Sequence, residues 1–187
     1  MSEEAPDSDS DSSDTLTVSP LVREGSLALG LVVLLLGSMW ISTGSFPPMV
    51  VVESGSMMHD EDGSVGAIDP GDLILVMNKN RVDVVTFVEA TEAGNENFGH
   101  ESHGSPGDVI IFSKNGGLDT PVIHRALLEV VQNGSGWDVP GTTLRNVQAV
   151  TWTLDIPCSS FHGNYNLRIE DWEPIHSGFL TSGDNNA

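Results

Sequence analysis

The chain has 187 residues, 27 of them acidic and 7 basic, for a formal charge of −20. That length suits one ordinary domain plus an anchor, and the charge repels nucleic-acid phosphates, which argues against a nucleic-acid partner. Six acids lie in the first 20 residues and the other 21 are spread along the chain, an acidity that stays soluble where salt screens self-repulsion and so points to a halophilic source.

Residues 1–22 are rich in Ser, Asp and Glu and offer almost nothing to bury, so they are predicted to be a disordered acidic tail. From Gly25 to Val52 there is no charge. Residues 25–46 reach the length of about 20 residues that spans a bilayer. Trp40 and Phe46 suit an interfacial aromatic position, and Pro47-Pro48 should stop the helix. A cleaved signal peptide would want a basic start and a small-x-small exit. The acidic start and Trp40-Ile41-Ser42-Thr43 fit a permanent transmembrane helix better. Arg23 favours a cytoplasmic amino end.

Residues 49–187 read as a mostly-β domain of short strands separated by Gly, Pro and Asn turns. Strands are predicted at Met49–Val52, Asp72–Met77, Val82–Val88, Asp108–Phe112, Pro121–Val131, Asn146–Leu154 and Phe179–Ser182. Pro-Gly-Asp turns at 70–72 and 106–108 open two of them. Glu89–Ser105 reads as an exposed loop, and 133–142 and 158–172 as irregular. The one cysteine, Cys158, excludes an intrachain disulfide. Beside His162 it reads as a small apolar side chain rather than a nucleophile.

Three short motifs carry chemistry. The first is Ser54-Gly55-Ser56-Met57, some ten residues past the apolar run. A serine hydroxyl attacks only when a base takes its proton, and Gly55 lets the backbone turn and a substrate approach. In an extended segment Ser54 would share a side with Ser56. His59, three positions on, would face away and so compete poorly as the base. The second motif is Val122-Ile123-His124-Arg125, where alternation separates Val122, His124 and Ala126 from Ile123 and Arg125. A neutral imidazole there can accept the serine proton and return it to the leaving amine. The third is Thr181-Ser182-Gly183-Asp184-Asn185-Asn186, a turn whose carboxylate could orient an imidazole.

In this order and setting, the three motifs resemble signal peptidase I of the archaeal/eukaryotic type, in which histidine replaces the lysine of the bacterial branch. The likeness runs from Val51 to Asn186. It implies a signal-peptidase-like β catalytic domain after one transmembrane helix. It also implies a membrane-anchored serine endopeptidase that cleaves N-terminal signal peptides from exported preproteins. Catalytic Ser56, His124 and Asp184 are implied, with Ser54 and the Ser56 N–H at the oxyanion. The pockets should accept small side chains at the first and third positions before the cut, and no cofactor or metal is implied. Partners would be signal peptides, membrane lipid and the neighbouring translocation channel. The protein would be single-pass in the cell membrane, with its catalytic domain on the extracytoplasmic side. Ten residues of extended chain reach at most about 35 Å, which would keep Ser56 near the bilayer.

Two departures from the family pattern stand out. Met58-His59 replaces a usual proline, and a second aspartate found in many members would fall past Ala187, so the domain is expected to be C-terminally incomplete. They motivate an alternative: a catalytically inactive signal-peptidase-like protein that binds preproteins or scaffolds a membrane complex. A soluble self-cleaving repressor conflicts with the anchor. A serine–lysine site finds only Lys79 and Lys114, neither in the bacterial lysine setting. His100-Glu101-Ser102-His103 is one residue short of the zinc-protease spacing and reads as solvated.

Overall fold

A computed structural model describes residues 19–59, 62–63, 65–114, 120–156 and 165–185. The chain divides into two compact units, Met1–Ser42 and Thr43–Ala187.

The described part of the first unit is helix α1, Pro20–Thr43, whose last residue falls in the second unit. Helix α1 starts earlier than expected because Ser19-Pro20 makes a proper start. The Ser19 hydroxyl accepts from the Val22 N–H at 3.4 Å, and proline at the first helical position has its φ preset. It also stops three residues short of Phe46, because Gly44 takes the left-handed φ of +68 that closes a helix. Pro47-Pro48 therefore lie beyond the end. Ser26, Ser38 and Ser42 donate to the carbonyls of Arg23, Leu35 and Met39 at 2.8–2.9 Å. Their polar atoms are thus satisfied within the helix, as a lipid environment requires. The helix is long and apolar enough to cross a membrane, with a mean hydropathy of 1.9.

The second unit is mostly β. Its elements are β1 (Met49–Val51), β2 (Leu73–Leu75), α2 (Phe87–Thr91), β3 (Glu101–Ser102), β4 (Ser105–Pro106), β5 (Val109–Phe112), β6 (Val122–Asn133), β7 (Gly136–Asp138), β8 (Val150–Ile156), β9 (Tyr165–Trp172) and β10 (Gly178–Ser182). Strand β6 is the spine. It pairs antiparallel with β5 over Val122–Arg125, with β10 over Arg125–Val130, and with β7 over Val131–Asn133. Strands β1–β2, β3–β4 and β8–β9 form separate antiparallel pairs.

Several predicted segments differ: β7 falls within 133–142, and the strand expected from Asn146 begins only at Val150. Val82–Val88 is not a strand; its end turns into α2, capped by Thr86. The Glu89 carboxylate accepts from the Thr86 N–H at 2.9 Å, and the Glu89 N–H donates to the Thr86 hydroxyl at 3.3 Å. This reciprocal box satisfies two donors that a short helix otherwise leaves bare. The stretch 89–105 is likewise not all exposed loop, since Ala90 is buried and β3 and β4 form a small hairpin. Part of 158–172 is strand β9, which pairs with β8. Cys158 and His162 lie outside the described residues.

Two apolar clusters hold the unit. The larger joins Phe87 and Val88 of α2 to Leu127, Leu128 and Val130 of β6, with Val139, Val150, Leu154 and Ile169. A register shift between Leu180 and Thr181 leaves Leu127 of β6 unpaired with β10. Such a bulge breaks alternation, which is why Ala126, Leu127 and Leu128 are all buried. The smaller cluster is Val52, Met57 and Ile68, with Ile74, Val109 and Ile123 against it. It matters most for function, because Met57 and Ile123 each adjoin a predicted catalytic residue.

Candidate active site

Ser56 sits in a turn, not in extended chain. The Met58 N–H donates to the Gly55 carbonyl at 3.2 Å, and Met57 drops into the small core at 1% exposure. The buried methionine anchors the turn and leaves Ser56 half-buried beside it. The Ser54 and Ser56 hydroxyls are 3.2 Å apart. They do share a side, but the turn brings them together rather than strand alternation.

Each of the other two motifs reaches this turn. The Ser56 hydroxyl donates to the Ile123 carbonyl at 3.5 Å, a long contact to the residue just before His124. The Asn185 N–H donates to the Ser56 carbonyl at 2.9 Å. Its side-chain amide donates to the Gly55 carbonyl at 3.0 Å. The three motifs, up to 130 positions apart in the chain, therefore meet around Gly55-Ser56.

His124 is half-buried on β6, opposite Ile110 of β5. Its Nδ1 lies 3.3 Å from the Thr181 hydroxyl, and Phe112 stands edge-on to its ring at 6.1 Å. Burial, and secondarily the Lys114 ammonium, push its pKa below the usual histidine value, while the Asp184 carboxylate pulls the other way. Such a ring is neutral at neutral pH, as a base must be. In the tautomer that turns Nδ1–H to Thr181, Nε2 keeps its lone pair for a proton.

Asp184 does not appear among the hydrogen-bond partners of His124. Its Oδ1 accepts from Arg125 Nε at 2.8 Å, and its Oδ2 from Arg125 Nη2 at 2.6 Å and His59 Nε2 at 2.7 Å. Its influence on His124 is the electrostatic pull described above. Arg125 is 2% exposed. Its Nη1 donates to the carbonyls of Ser102, Ser105 and Gly107 at 2.9, 3.1 and 2.6 Å. A buried guanidinium survives only when its donors are met this way.

The His100–His103 stretch is not simply solvated. His100 bonds Asp108 at 2.8 Å. His103 has its pKa lowered, first by burial and then by the Arg125 charge, against the opposing pull of Asp184 and Asp108. Among the described residues no cluster of three or more His, Cys, Asp or Glu is arranged to hold a metal.

Four contributors were missed from the sequence: Arg125 as the carboxylate's holder, His59 as its second partner, Thr181 beside His124, and Asn185 as the tie to the serine turn. Arg125 had a readable signal, a lone cation inside an apolar strand, which is rarely buried unless paired. A cavity of about 320 Å³ lies alongside, lined mainly by aliphatic side chains such as Ile68, Ile74, Val109 and Ile123, with Lys79, His103 and Asp108 supplying polar and charged groups. Ile123 belongs both to this lining and to the serine's carbonyl contact. Comparison with known proteins gives no match to a family model, a curated protein or a solved structure.

Proposed function

We propose that the chain is a membrane-anchored serine endopeptidase that removes signal peptides from exported preproteins. The observation that carries this reading is the meeting of the three motifs: the Ser56 turn contacts the residue before His124 and the residue after Asp184. In the reaction, His124 Nε2 takes the Ser56 proton and Oγ attacks the scissile carbonyl. The Ser56 N–H and the Ser54 hydroxyl receive the oxyanion, where one preorganised donor is worth about 3 kcal/mol. His124 then protonates the leaving amine, and water hydrolyses the acyl-enzyme by the reverse proton path. Asp184 steadies the imidazolium through its field. In the resting state Ser56 and Ser54 bond one another, and substrate would draw the hydroxyl toward His124, since catalytic hydrogen bonds often tighten only in the complex.

The aliphatic cavity next to Ile123 suits small apolar side chains ahead of the cut. The apolar helix α1 suits an enzyme whose substrates emerge at a membrane, beside the translocation channel, with the amino end cytoplasmic and the catalytic domain outside.

A second reading, a silent relative that binds preproteins or scaffolds a complex, draws on one observation. The Asp184 oxygens are engaged by Arg125 and His59, and His124 pairs with Thr181 instead. Replacing Ser56 by Ala in membranes separates the two. The peptidase loses preprotein cleavage and keeps preprotein binding; cleavage that persists unchanged would falsify the enzyme.

A further inference from the structure

We infer that His59 positions the nucleophile, as the outer jaw of a clamp that closes the Ser56–His59 segment onto Asp184 and Asn185. His59 Nε2 meets Asp184 Oδ2 at 2.7 Å. At the other end of the segment, the Asn185 N–H meets the Ser56 carbonyl at 2.9 Å. Four residues are thus tied at both ends to two consecutive residues of the terminal turn. A segment closed this tightly has little conformational freedom left to lose when substrate binds.

The clamp has a rigid base. Asp184 is gripped by the Arg125 fork at 2.8 and 2.6 Å. Arg125 is held in turn by carbonyls of the 102–107 hairpin. The side chains of His59 and Asp184 are only 17% and 11% exposed, so water competes weakly for a bond of the short, charge-assisted kind. The ring also fits a prepared space. A Cβ on Gly104 would fall 3.2 Å from His59 Nδ1 and Cε1, and Gly104 has φ +77, a conformation that favours glycine. Among the described residues, the titratable and charged groups near His59 include Asp184 from the terminal turn, Arg125 from β6 and His103 from the hairpin. A carboxylate only accepts, so Nε2 carries the proton in this bond, and a neutral ring suffices. The clamp is a donor contact that a neutral amide can replace.

His59 acts through the turn and touches no reacting atom; its catalytic consequence rests on the peptidase reading of Ser56. The test uses the full chain in detergent micelles. In His59→Phe, hydrogen exchange in the peptide covering residues 55–58 should accelerate at least about tenfold as the turn loosens. The kcat for preprotein cleavage should fall at least about tenfold with KM held within about twofold, the split expected when orientation rather than binding is lost. His59→Gln places an amide donor near the position of Nε2 and should bring both readouts back to within about threefold of the wild type. Unchanged exchange and kcat in His59→Phe overturn the inference. So does a Gln variant as impaired as the Phe variant, because ring shape would then be what matters. Ser56→Ala is run alongside: cleavage that survives in it removes the peptidase reading alone, and the exchange measurement still decides the clamp.

Discussion

Replacing Arg125 by Met tests how the site is held together. Methionine keeps most of the volume of a side chain that is 2% exposed, so the change removes charge and donors more than packing. It takes the guanidinium away from the Asp184 carboxylate, whose side chain is 11% exposed, and leaves it the His59 donor. It also leaves carbonyls at Ser102 and Gly107 without their guanidinium partner. Breaking one side of a buried ion pair costs about 3–5 kcal/mol, and the freed carbonyls can turn partly to water. Against a domain stability of about 5–15 kcal/mol this is a large share. With a urea dependence of about 2 kcal/mol per molar, the midpoint should fall by about 2 M. The assay is urea unfolding of the full chain in micelles, followed by the fluorescence of Trp137, Trp152 and Trp172, which pack on the main core. Combining Arg125→Met with Asp184→Leu should cost less than the sum of the two by about 1 kcal/mol or more. A midpoint shift below about 0.3 M for Arg125→Met, or strict additivity in the pair, would refute the buried-clamp account.

Four further outcomes are expected. Because His124 must be neutral to act and its pKa is lowered by burial and by Lys114, cleavage should persist as pH falls to below 6.5, failing only when the ring finally protonates. Lys114→Gln removes one of those causes, so the acid limb of kcat/KM should move toward higher pH, and an unmoved limb would contradict the assignment of the base. Thr181→Val removes the Nδ1 partner at 3.3 Å and should lower kcat about tenfold, roughly 1.4 kcal/mol of barrier, with little change in the melting temperature. Gly107→Ala should destabilise the fold by about 2 kcal/mol or more, since the residue has φ +80 and its new Cβ would meet the Phe87 backbone nitrogen at 2.6 Å; a calorimetric melt that matches wild type would show that the 102–107 hairpin yields more freely than described.

Much of this architecture was legible because it rests on local rules. The charge-free run predicts α1, and the two Pro-Gly-Asp turns mark β2 and β5. The β-branched stretch around His124 predicts β6, although the bulge at Leu127 hides its alternation from simple inspection. The capping box at Thr86 and Glu89 was also in plain view, but an apolar run at 82–88 suggests a strand unless the Thr-x-x-Glu spacing is weighed first. Strand β9 alternates Leu167 and Ile169 with Arg168 and Glu170, a period that its polar content disguised. The site is a different matter. Ser56, His124 and Asp184 carry readable motifs, yet the partners of Asp184 depend on a turn. Treating residues 54–59 as extended sends His59 away from Ser56, whereas the Gly55–Met58 hydrogen bond curls the chain and delivers His59 to the carboxylate. Nothing in the local sequence announces that bond. Arg125 was visible as an anomaly, but its target lies 59 positions away and only the pairing of β6 with β10 brings the two together.

Ser56 and His124 are proposed to work as one unit, and a kinetic double-mutant cycle addresses that most directly. Preprotein cleavage is measured for the full chain in liposomes with Ser56→Ala, His124→Ala and both changes together. If the two side chains share one proton-transfer step, each single change should lower kcat by about 10³-fold or more, and the pair should be no slower than either alone. Losses that multiply in the double variant, or cleavage that continues without Ser56, would contradict it.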